Sequence, residues 1–415
     1  MQMEYPYQQY MYSYPHKTAY GPLEGIHLKD YIHRLAGKEN SLYFHIPFCQ
    51  YKCGYCNLFS ETGSSEKRMA AYVNALERHA GQIADILPRE ATFSDLTLGG
   101  GTPLLLSESQ LNKVFSLAKE TLGFQTQGHA IAVETSPNQT TRDKLSLLKE
   151  EGVTRISIGV QSFQEGELLT LHRLHTAETA HRALAAIREH HFSCLNIDII
   201  YGIPGQTADS LTESLRQALS YQPEELFVYP LYIKPETSLA RQGTSPSPTA
   251  FSLYQRARDF LQGEGYQPYS MRRFVRGGHN NYHYASCGFG STLSVGCGGR
   301  SYLGNLHFCA PYAVRQEQCR NILTAYLEQE DYLQITHGYL LSPEEMKRRY
   351  VIRHLLFGKG IHRQEYEKHF GGSPEQDFPM LEEWASSGYV SLGKEFVGMT
   401  EEGFALSDAL GPKLQ

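Results

Sequence analysis

The stretch FHIPFCQYKCGYCNLFS, from Phe44 to Ser60, places three of the chain's eight cysteines in a C-x-x-x-C-x-x-C spacing between aromatic-rich flanks. Eight cysteines in 415 residues is far below the density of a disulfide scaffold, and clustered thiols then more often bind metal or carry out redox chemistry. Three thiolates would hold three irons of a cubane iron–sulfur cluster and leave the fourth iron open. A zinc knuckle, with a fourth ligand such as His45 or an outlying cysteine, and inert packing are the alternatives.

The composition is typical of a soluble globular protein. Hydrophobic residues make up 41% and charged residues 20% of the chain, and no apolar run approaches the roughly 20 residues that cross a bilayer. The N-terminus lacks the basic start, apolar run and cleavage site of a secretory signal. A formal charge of -6 with scattered basic residues gives no footprint for nucleic acid. We therefore expect a cytoplasmic protein that binds neither nucleic acid nor membrane.

The first half of the chain alternates apolar, β-branched segments with longer amphipathic stretches, which favours βα units and a parallel sheet. The predicted strands are Leu42–Ile46, Asp95–Leu98, Ala130–Thr135, Arg155–Val160, Asn196–Tyr201 and Leu226–Leu231. The predicted helices are Glu66–Ile86, Glu108–Thr121, Thr140–Glu151, Ala177–Glu189, Asp209–Ser220 and Ala250–Gly263.

Each of the six predicted strands runs into polar or glycine-rich residues. In order these are the cysteine loop, the glycine run 99–101 with Thr102 and Pro103, Glu134 with Thr135, Gln161, Asp198 with a Gly-Pro turn, and Tyr232 with Lys234. The carboxyl ends of parallel strands form the reactive face of a barrel or sheet. The six ends should therefore converge on one site.

Each of these signals also has a structural explanation when taken singly. The glycine run is consistent with a tight turn, or with a ligand that meets bare backbone. Glu134 is consistent with an N-cap or surface carboxylate, or with a group that hydrogen-bonds ribose hydroxyls. Gln161 and Arg173 alone are consistent with a surface amide and an ion-pair partner.

Together these residues resemble the radical S-adenosylmethionine (SAM) superfamily, and within it the group around oxygen-independent coproporphyrinogen III oxidase. The resemblance rests on YFHIPFCxxxCxYC, GGGTP, the Glu134 segment, RISIGVQSF followed by Leu171-His172-Arg173, NIDIIYGIPGQT and the ending GFALSDAL. It covers most of residues 40 to 235.

The resemblance implies a partial (β/α)6 barrel with a [4Fe-4S] cluster on Cys49, Cys53 and Cys56. SAM would bind the open iron and be cleaved by one electron to methionine and a 5′-deoxyadenosyl radical, which takes hydrogen from a small-molecule substrate. The electron would come from a donor such as flavodoxin or ferredoxin. The cofactor supplies this chemistry, and the protein orients it and excludes water.

Matched positions in the resemblance also assign cofactor contacts. Tyr43 and Phe48 would lie near the cluster and its SAM. Gly100, Gly101 and Thr102 would contact the methionyl part of SAM, and Glu134 would hydrogen-bond its ribose. A second SAM would contact Gln161, Arg173 and Asp198. Two SAM molecules serve methyl transfer in some relatives.

One departure limits the comparison with the oxidase, which has a further cysteine two residues after the third ligand, where this chain has Asn57-Leu58-Phe59. We therefore expect an oxidoreductase like the coproporphyrinogen III oxidase, within a divergent subgroup. A radical SAM C-methyltransferase and a haem-binding chaperone of the same superfamily are the alternatives.

The domain boundaries follow from shifts in composition. We expect an N-terminal strap at 1–39, in which Tyr14, His16 and Lys17 reach over the barrel mouth or pack on the surface. The barrel would span 40–240, a substrate-covering extension 241–335, and a small helical domain of winged-helix character 336–415.

The extension holds several candidate side chains. Arg272, Arg273 and Arg276 either clamp substrate carboxylates or form an exposed basic loop. The polar run 279–283 either orients substrate or bonds among loops. For Cys287, Cys297, Cys309 and Cys319, buried inert thiols are favoured over a second cluster.

Overall fold

Six parallel strands, each followed by a helix, form the centre of the molecule in a computed structural model that describes residues 7, 13–37, 39–277 and 290–415. The candidate residues 279–283 and Cys287 lie outside this part of the chain.

The strands of the described chain divide between a large sheet and smaller ones. Those of the first half are β1 Gly21–His27, β2 Glu39–Ile46, β3 Phe48–Cys49, β4 Glu61–Thr62, β5 Thr92–Gly100, β6 Ala130–Thr135, β7 Arg155–Gln161, β8 Cys194–Tyr201 and β9 Glu225–Pro230. Those of the second half are β10 Tyr266–Pro268, β11 Arg273–Arg276, β12 Ser291–Val295, β13 Ser301–Leu303, β14 Leu306–Phe308, β15 Gln334–Leu340, β16 Ile361–His362, β17 Val390–Leu392 and β18 Phe396–Met399.

The helices alternate with the strands in the first half and predominate near the C-terminus. Up to the middle of the chain they are α1 Glu66–Ile86, α2 Glu108–Ser116, α3 Arg142–Glu150, α4 Glu165–Thr170, α5 Ala177–Glu189, α6 Ala208–Leu219, α7 Ser238–Arg241 and α8 Ala250–Gly263. The remaining ones are α9 Gln316–Glu328, α10 Pro343–Leu355, α11 Arg363–Phe370, α12 Pro374–Asp377, α13 Met380–Ser386, α14 Glu401–Ala405 and α15 Ser407–Leu410. Short 3-10 helices span Lys17–Ala19, Leu28–Asp30, Ile32–Leu35, Pro103–Leu105, Pro137–Gln139 and Gly411–Leu414, and a π-helical turn spans Leu117–Thr121.

The large sheet has the strand order β1-β15-β14-β13-β12-β2-β5-β6-β7-β8-β9-β11-β10. The run from β2 to β9 is parallel throughout, and β12 is also parallel to β2. Antiparallel strands extend both edges, β11 and β10 beyond β9 and β13 to β15 with β1 beyond β12. The predicted α/β architecture is confirmed, and β12 adds a seventh parallel strand to the six that were predicted.

Side chains alternate along each parallel strand, so that one face packs on helices and the other lines the barrel interior. In β7, Ile156, Ile158 and Val160 are fully buried in the main core, whereas Ser157, Gly159 and Gln161 line a cavity. The apolar positions therefore fix the register that brings the polar ones to the interior.

Side-chain caps explain why the barrel helices begin where they do. The Ser65 side chain accepts a hydrogen bond from the Arg68 amide at the start of α1, and Ser107 forms a reciprocal capping box with Gln110 at α2. Such caps satisfy backbone N–H groups that have no partner within the helix.

The C-terminal part is mainly helical and has its own core. A three-stranded sheet of order β16-β18-β17 packs with α10 to α15, and the single tryptophan, Trp384, lies in this core. The expectation of a smaller helical C-terminal part is confirmed. Within the described residues, no helix combines the length and apolar character needed to cross a membrane.

Candidate active site

A cavity of about 1030 Å³ opens at the carboxyl ends of the parallel strands. Its wall includes residues from the ends of the six parallel strands β2 and β5 to β9, together with the cysteine loop. Eleven of the twelve predicted site residues line it, namely Tyr43, Cys49, Cys53, Cys56, Gly100, Gly101, Thr102, Glu134, Gln161, Arg173 and Asp198. The convergence expected from the strand ends is therefore what the fold produces.

Phe48 is the exception, because its side chain is fully buried behind the cysteine loop and is not among the cavity-lining residues. Its ring packs edge-on against Tyr72 at 5.2 Å. Its carbonyl oxygen accepts a hydrogen bond from the Thr102 amide at 2.8 Å. Phe48 thus anchors the loop to the glycine run and does not line the cofactor cavity.

The cysteine loop is held by a backbone hydrogen bond within it and by two to distant segments of the chain. The Cys56 amide donates to the Cys53 carbonyl at 3.2 Å, and the Gly54 amide donates to the Leu171 carbonyl at 2.9 Å. From the other side, the Leu239 amide donates to the Gly54 carbonyl at 2.9 Å. Segments far apart in the chain therefore fix the position of the three thiols.

The glycine run packs directly against the cysteine loop. A Cβ atom on Gly101 would lie 2.5 Å from the Phe48 carbonyl oxygen and 3.0 Å from Cys49 Sγ, so a larger residue would displace the loop. The Thr102 hydroxyl lies 3.8 Å from the same sulfur. Burial, with a smaller contribution from Cys56, raises the pKa of Cys49 to about 12, so deprotonation of this thiol requires a positive partner such as a metal.

Glu134 lines the same cavity, and its Oε2 accepts a hydrogen bond from the Gly100 amide at 3.0 Å. A Cβ atom on Gly99 would lie 2.8 Å from that same oxygen and 2.9 Å from the Tyr43 hydroxyl. Burial raises the pKa of Glu134, while the Gly100 hydrogen bond and Arg155 oppose the shift. The glycines thus allow a carboxyl group and a phenol to approach the backbone closely.

Asp198 lies on the same wall, on β8. Its Oδ1 accepts a hydrogen bond from Asn196 Nδ2 at 2.7 Å, and that amide also donates to the Ser157 hydroxyl at 2.8 Å. Burial raises the pKa of Asp198 to about 7 against the opposing effect of the Asn196 hydrogen bond. This carboxyl can therefore hold or release a proton near neutral pH.

Gln161 and Arg173 complete the wall next to the cysteine loop. Gln161 has a φ of 75° at a register shift between β7 and β8, a left-handed backbone that is uncommon outside glycine and often marks a functional site. Arg173 donates from Nη1 to Cys53 Sγ at 3.1 Å and from Nε to His175 Nδ1 at 3.3 Å, and it also bonds the Gly159 carbonyl. The structure thus places Arg173 against a thiol of the cysteine loop.

A profile of the Radical SAM superfamily matches residues 43–218, which span β2 to α6 and include the three thiols and all the polar strand ends up to β8. The chain carries a radical SAM domain.

Relatives of two kinds align with nearly the whole chain. It is 26% identical over 381 residues to the heme chaperone HemW of Bacillus subtilis (strain 168), an alignment that covers 89% of this chain and 97% of that protein. It is 28% identical over 426 residues to the oxygen-independent coproporphyrinogen III oxidase of Escherichia coli (strain K12), and this alignment covers 95% of this chain and 91% of that protein. The solved structure of the coproporphyrinogen III oxidase HemN from Escherichia coli superposes with a TM-score of 0.83 at 24% identity, over 98% of this chain and 96% of that one. The resemblance of the sequence to this group is therefore confirmed.

The radical SAM domain implies an iron–sulfur cluster and SAM, and the donor set fits them. Three thiols border one cavity, and the glycine run that packs against them places no side chain of its own between strand end and loop. Among the described residues, no three Cys, His, Asp or Glu side chains are gathered so as to hold a single metal ion. A cubane places each thiolate on a different iron, whereas a zinc knuckle gathers its ligands around one ion.

Cationic and aromatic side chains that the motifs did not indicate also line the cavity. They are Arg300, Tyr302, Tyr312 and Arg353, and Cys309 lies among them. His16 and Lys17 of the N-terminal segment line the cavity too, which is one of the two arrangements expected for them, whereas Tyr14 packs in the C-terminal core. Arg300, Tyr302, Tyr312 and Arg353 come from segments distant in sequence from the motifs, so no local spacing could have identified them.

The three arginines, for which either a substrate clamp or an exposed basic loop was expected, instead contact protein side chains. Arg272 bonds Asp408, Arg273 bonds Glu225, and Arg276 lies 3.4 Å from Glu224. Cys297 and Cys319 are buried. Within the described residues, Cys309 is therefore the one candidate cysteine outside the loop that borders the cavity.

Proposed function

We propose that this chain is a radical SAM oxidoreductase that holds a [4Fe-4S] cluster on Cys49, Cys53 and Cys56 and oxidises a small organic substrate. When bound, the cluster and SAM supply the one-electron cleavage that gives the 5′-deoxyadenosyl radical. The observation that carries the proposal is the convergence of three thiols, the glycine run, Glu134 and Asp198 on one cavity.

The chain's own residues would orient SAM along that cavity. Glu134 presents a carboxyl to ribose hydroxyls, and its hydrogen bond to the Gly100 amide fixes its direction. The bare backbone of Gly100 and Gly101 leaves room for the methionyl part.

The excess of cationic side chains in the cavity supports an anionic substrate. Its lining includes Lys17, Arg173, Lys234, Arg300 and Arg353 against Glu134, Asp198 and Glu236. Guanidinium groups suit carboxylates because they offer paired N–H donors in a fixed plane. We therefore expect a substrate with carboxylate groups.

The experiment is anaerobic reconstitution with iron and sulfide, reduction with dithionite, and assay for 5′-deoxyadenosine in the presence of SAM. The wild type should form it, and Cys53→Ala should not, because one cluster ligand is lost. Cys194→Ala removes a thiol outside the cavity and should form it as the wild type does. A wild-type protein with an intact cluster that yields no 5′-deoxyadenosine would contradict the proposal.

Methyl transfer is a second candidate, supported by the presence of Gln161 and Asp198 on the same cavity wall, where a second SAM is proposed to bind. SAM labelled at its methyl group distinguishes the two reactions once a substrate is found. Label in the product would indicate methyl transfer, and label confined to methionine would indicate oxidation.

A haem-binding role is supported by the alignment with heme chaperones over 89% of the chain. Titration with haem tests it, since a bound haem changes its strong blue absorption band. An unchanged spectrum at micromolar haem would count against a chaperone.

A further inference from the structure

A second glycine-rich turn reaches the cavity where β12 leads into β13. Its sequence at 296–299 is Gly-Cys-Gly-Gly, and Gly298 and Gly299 both line the cavity. A Cβ atom on Gly298 would lie 2.6 Å from Phe59 Cδ1, and one on Gly299 would overlap Ser294 Oγ. Because glycine has no side chain, the turn presents its backbone to the cavity.

The backbone of this turn offers hydrogen-bond donors. Gly298 has a φ of 102°, a conformation that glycine adopts without strain. In the part of the chain that the structure describes, neither the Gly298 nor the Gly299 amide donates a hydrogen bond. The preceding Cys297 amide, by contrast, donates to the Tyr72 hydroxyl at 2.9 Å. Successive backbone N–H groups in a turn form sites for anions.

Thr292 places a further donor on the same wall. Its side chain lines the cavity and is only 8% exposed, and its hydroxyl has no hydrogen-bond partner among the described residues. A buried hydroxyl without a partner is costly, so this position favours a ligand that accepts its hydrogen bond.

The strand geometry relates Thr292 to the turn. Thr292 and Ser294 share one face of β12, because side chains two residues apart point the same way. Ser294 packs against Gly299, so Thr292 lies about 7 Å from the turn, which is the rise of two strand residues. A carboxylate that accepts a hydrogen bond at either end spans about that distance.

Two cationic side chains lie beside the turn. Arg300 follows Gly299 directly and lines the cavity, and its Nη1 donates to Ser13 Oγ at 2.9 Å. Lys17 lines the cavity as well, with Nζ 4.4 Å from the centre of the Tyr312 ring. Burial, and after it the charge of Arg300, lowers the pKa of Lys17 to about 8. An anion at this wall would relieve the repulsion between the two charges.

The carboxyl groups that line the cavity belong to other walls. Glu134 is on β6, Asp198 is on β8 and Glu236 follows β9. In the order of the sheet, β12 lies on the far side of β2 and β5 from these strands. The acidic side of the cavity is therefore distinct from the side that carries the turn.

We propose that the turn at 296–300 and Thr292 form the subsite for a carboxylate group of the substrate. The proposal rests on the proposed function and deepens it, because it assigns a place to one carboxylate. The two oxygens of a carboxylate accept about four hydrogen bonds, and the two glycine amides, the Thr292 hydroxyl and the Arg300 guanidinium are four donor groups. A phosphate group has more acceptor positions than this wall has donors.

Hydrogen exchange and calorimetry with trimesate, an aromatic tricarboxylate, test the subsite in the reconstituted protein without reductant or SAM. Bound trimesate should slow the exchange of the amides at 296–300 at least about tenfold, because they then donate to a carboxylate. The trimethyl ester of trimesate has the same ring without the charge, and it should leave their exchange unchanged.

Thr292→Val keeps the shape of the side chain and removes its hydroxyl. Its dissociation constant for trimesate should rise about fivefold, the effect of one lost hydrogen bond, whereas Thr292→Ser keeps the hydroxyl and should bind as the wild type does. Arg300→Gln should raise the constant at least about tenfold, since a charged donor is lost. Arg216→Gln removes a charge from the exposed surface of α6 and is the control, with wild-type affinity expected.

Unchanged exchange at 296–300 with trimesate bound, or no binding at millimolar trimesate, would overturn the proposal. An equal loss of affinity in Thr292→Val and Thr292→Ser would overturn the role of the hydroxyl. Slowing by SAM alone would assign the turn to the cofactor, and slowing by phenyl phosphate without slowing by trimesate would overturn the choice of a carboxylate. The 5′-deoxyadenosine assay tests the proposed function separately, since binding of trimesate needs no cleavage of SAM.

Discussion

Gly101 shows how one residue type is required by the chemistry next to it. The backbone there lies so close to the cysteine loop that a Cβ atom would meet the Phe48 carbonyl at 2.5 Å and Cys49 Sγ at 3.0 Å. Both contacts are with parts of the loop that other hydrogen bonds hold in place. Any larger residue must move the thiol or the strand end.

Gly101→Ala should therefore reduce the iron bound after reconstitution several-fold. Overpacking costs about 1–3 kcal/mol, and here it would displace the loop that carries the cluster ligands. Iron analysis and the visible spectrum measure it. Gly81→Ala is the control, because a Cβ atom on Gly81 in α1 would have nothing within 4 Å. Equal iron in both variants would show that the close packing at Gly101 does not matter for the cluster.

Asp198 predicts a pH dependence of stability. Burial raises its pKa from 3.8 to about 7, so the folded chain binds this proton more tightly than the unfolded chain does. The protonated Asp198 contributes fully to the free energy of unfolding when the pH is below its pKa in the unfolded chain. This contribution is lost as the pH rises through its pKa in the folded chain.

In Asp198→Asn this loss is absent. The free energy of unfolding of the variant, relative to the wild type, should therefore increase between about pH 5 and about pH 8. Urea denaturation of cluster-free protein followed by circular dichroism measures it, with Asp85→Asn on the exposed side of α1 as control. A difference that is the same at both pH values would contradict the assignment.

At the scale of elements, a buried ion network joins three strands of the barrel. Glu225 on β9 accepts from Arg155 Nη2 on β7 at 3.0 Å and pairs with Arg273 on β11. All three residues are buried. Burial alone would raise the pKa of Glu225, but the two arginines outweigh it and hold the pKa below its usual value.

Glu225→Gln should destabilise the fold by about 3–5 kcal/mol, because it leaves two buried guanidinium groups without their carboxylate. Urea denaturation at neutral pH measures the loss. Glu213→Gln breaks the pair of Glu213 with Arg216 on the surface of α6 and should leave the midpoint unchanged. A loss no larger than that of the control would show that the network is not structural.

Several elements could be predicted from the sequence with correct bounds. Strand β6 and helices α1, α5 and α8 coincide with the predicted ranges, because their apolar periodicity is local. No bounds were predicted for the edge strands β10 to β15. They are short, and their pairing depends on contacts with β9, β2 and β1, which no local pattern reports.

At the scale of the whole molecule, the C-terminal part is fastened to the barrel at the cavity. Asp408 of α15 is fully buried and bonds both Arg272 and the Tyr232 hydroxyl. Arg272 Nη2 also donates to that hydroxyl at 2.5 Å. Because Tyr232 lines the cavity, the C-terminal part fixes one side of the cavity wall.

Asp408→Asn should loosen this junction, since the amide keeps the shape but removes the charge opposite a buried arginine. Hydrogen exchange should quicken in α15 and in residues 231–234. Glu402→Gln, at an exposed position of the same domain, should leave both segments unchanged. Faster exchange in α15 alone would contradict a link to the cavity wall.

The site itself could be predicted only in part, and the reason lies at this scale. Residues of the strand ends were found because the order of strands along the chain is also their order in the sheet from β2 to β9. Arg300 and Arg353 were missed because they reach the cavity from the edge strands and α10. For Arg272 a substrate clamp was one of two expectations, and its actual partner Asp408 lies 136 positions away.

The most direct test of the account asks whether SAM binds the iron that the three thiols leave open. Electron–nuclear double resonance of the reduced, reconstituted protein measures this with SAM labelled by ¹⁵N at its amino group and ¹⁷O at its carboxylate. We predict that both labels couple to the cluster in the wild type and that coupling is lost in Cys56→Ala. Absence of both couplings from a protein with an intact cluster would contradict the central claim.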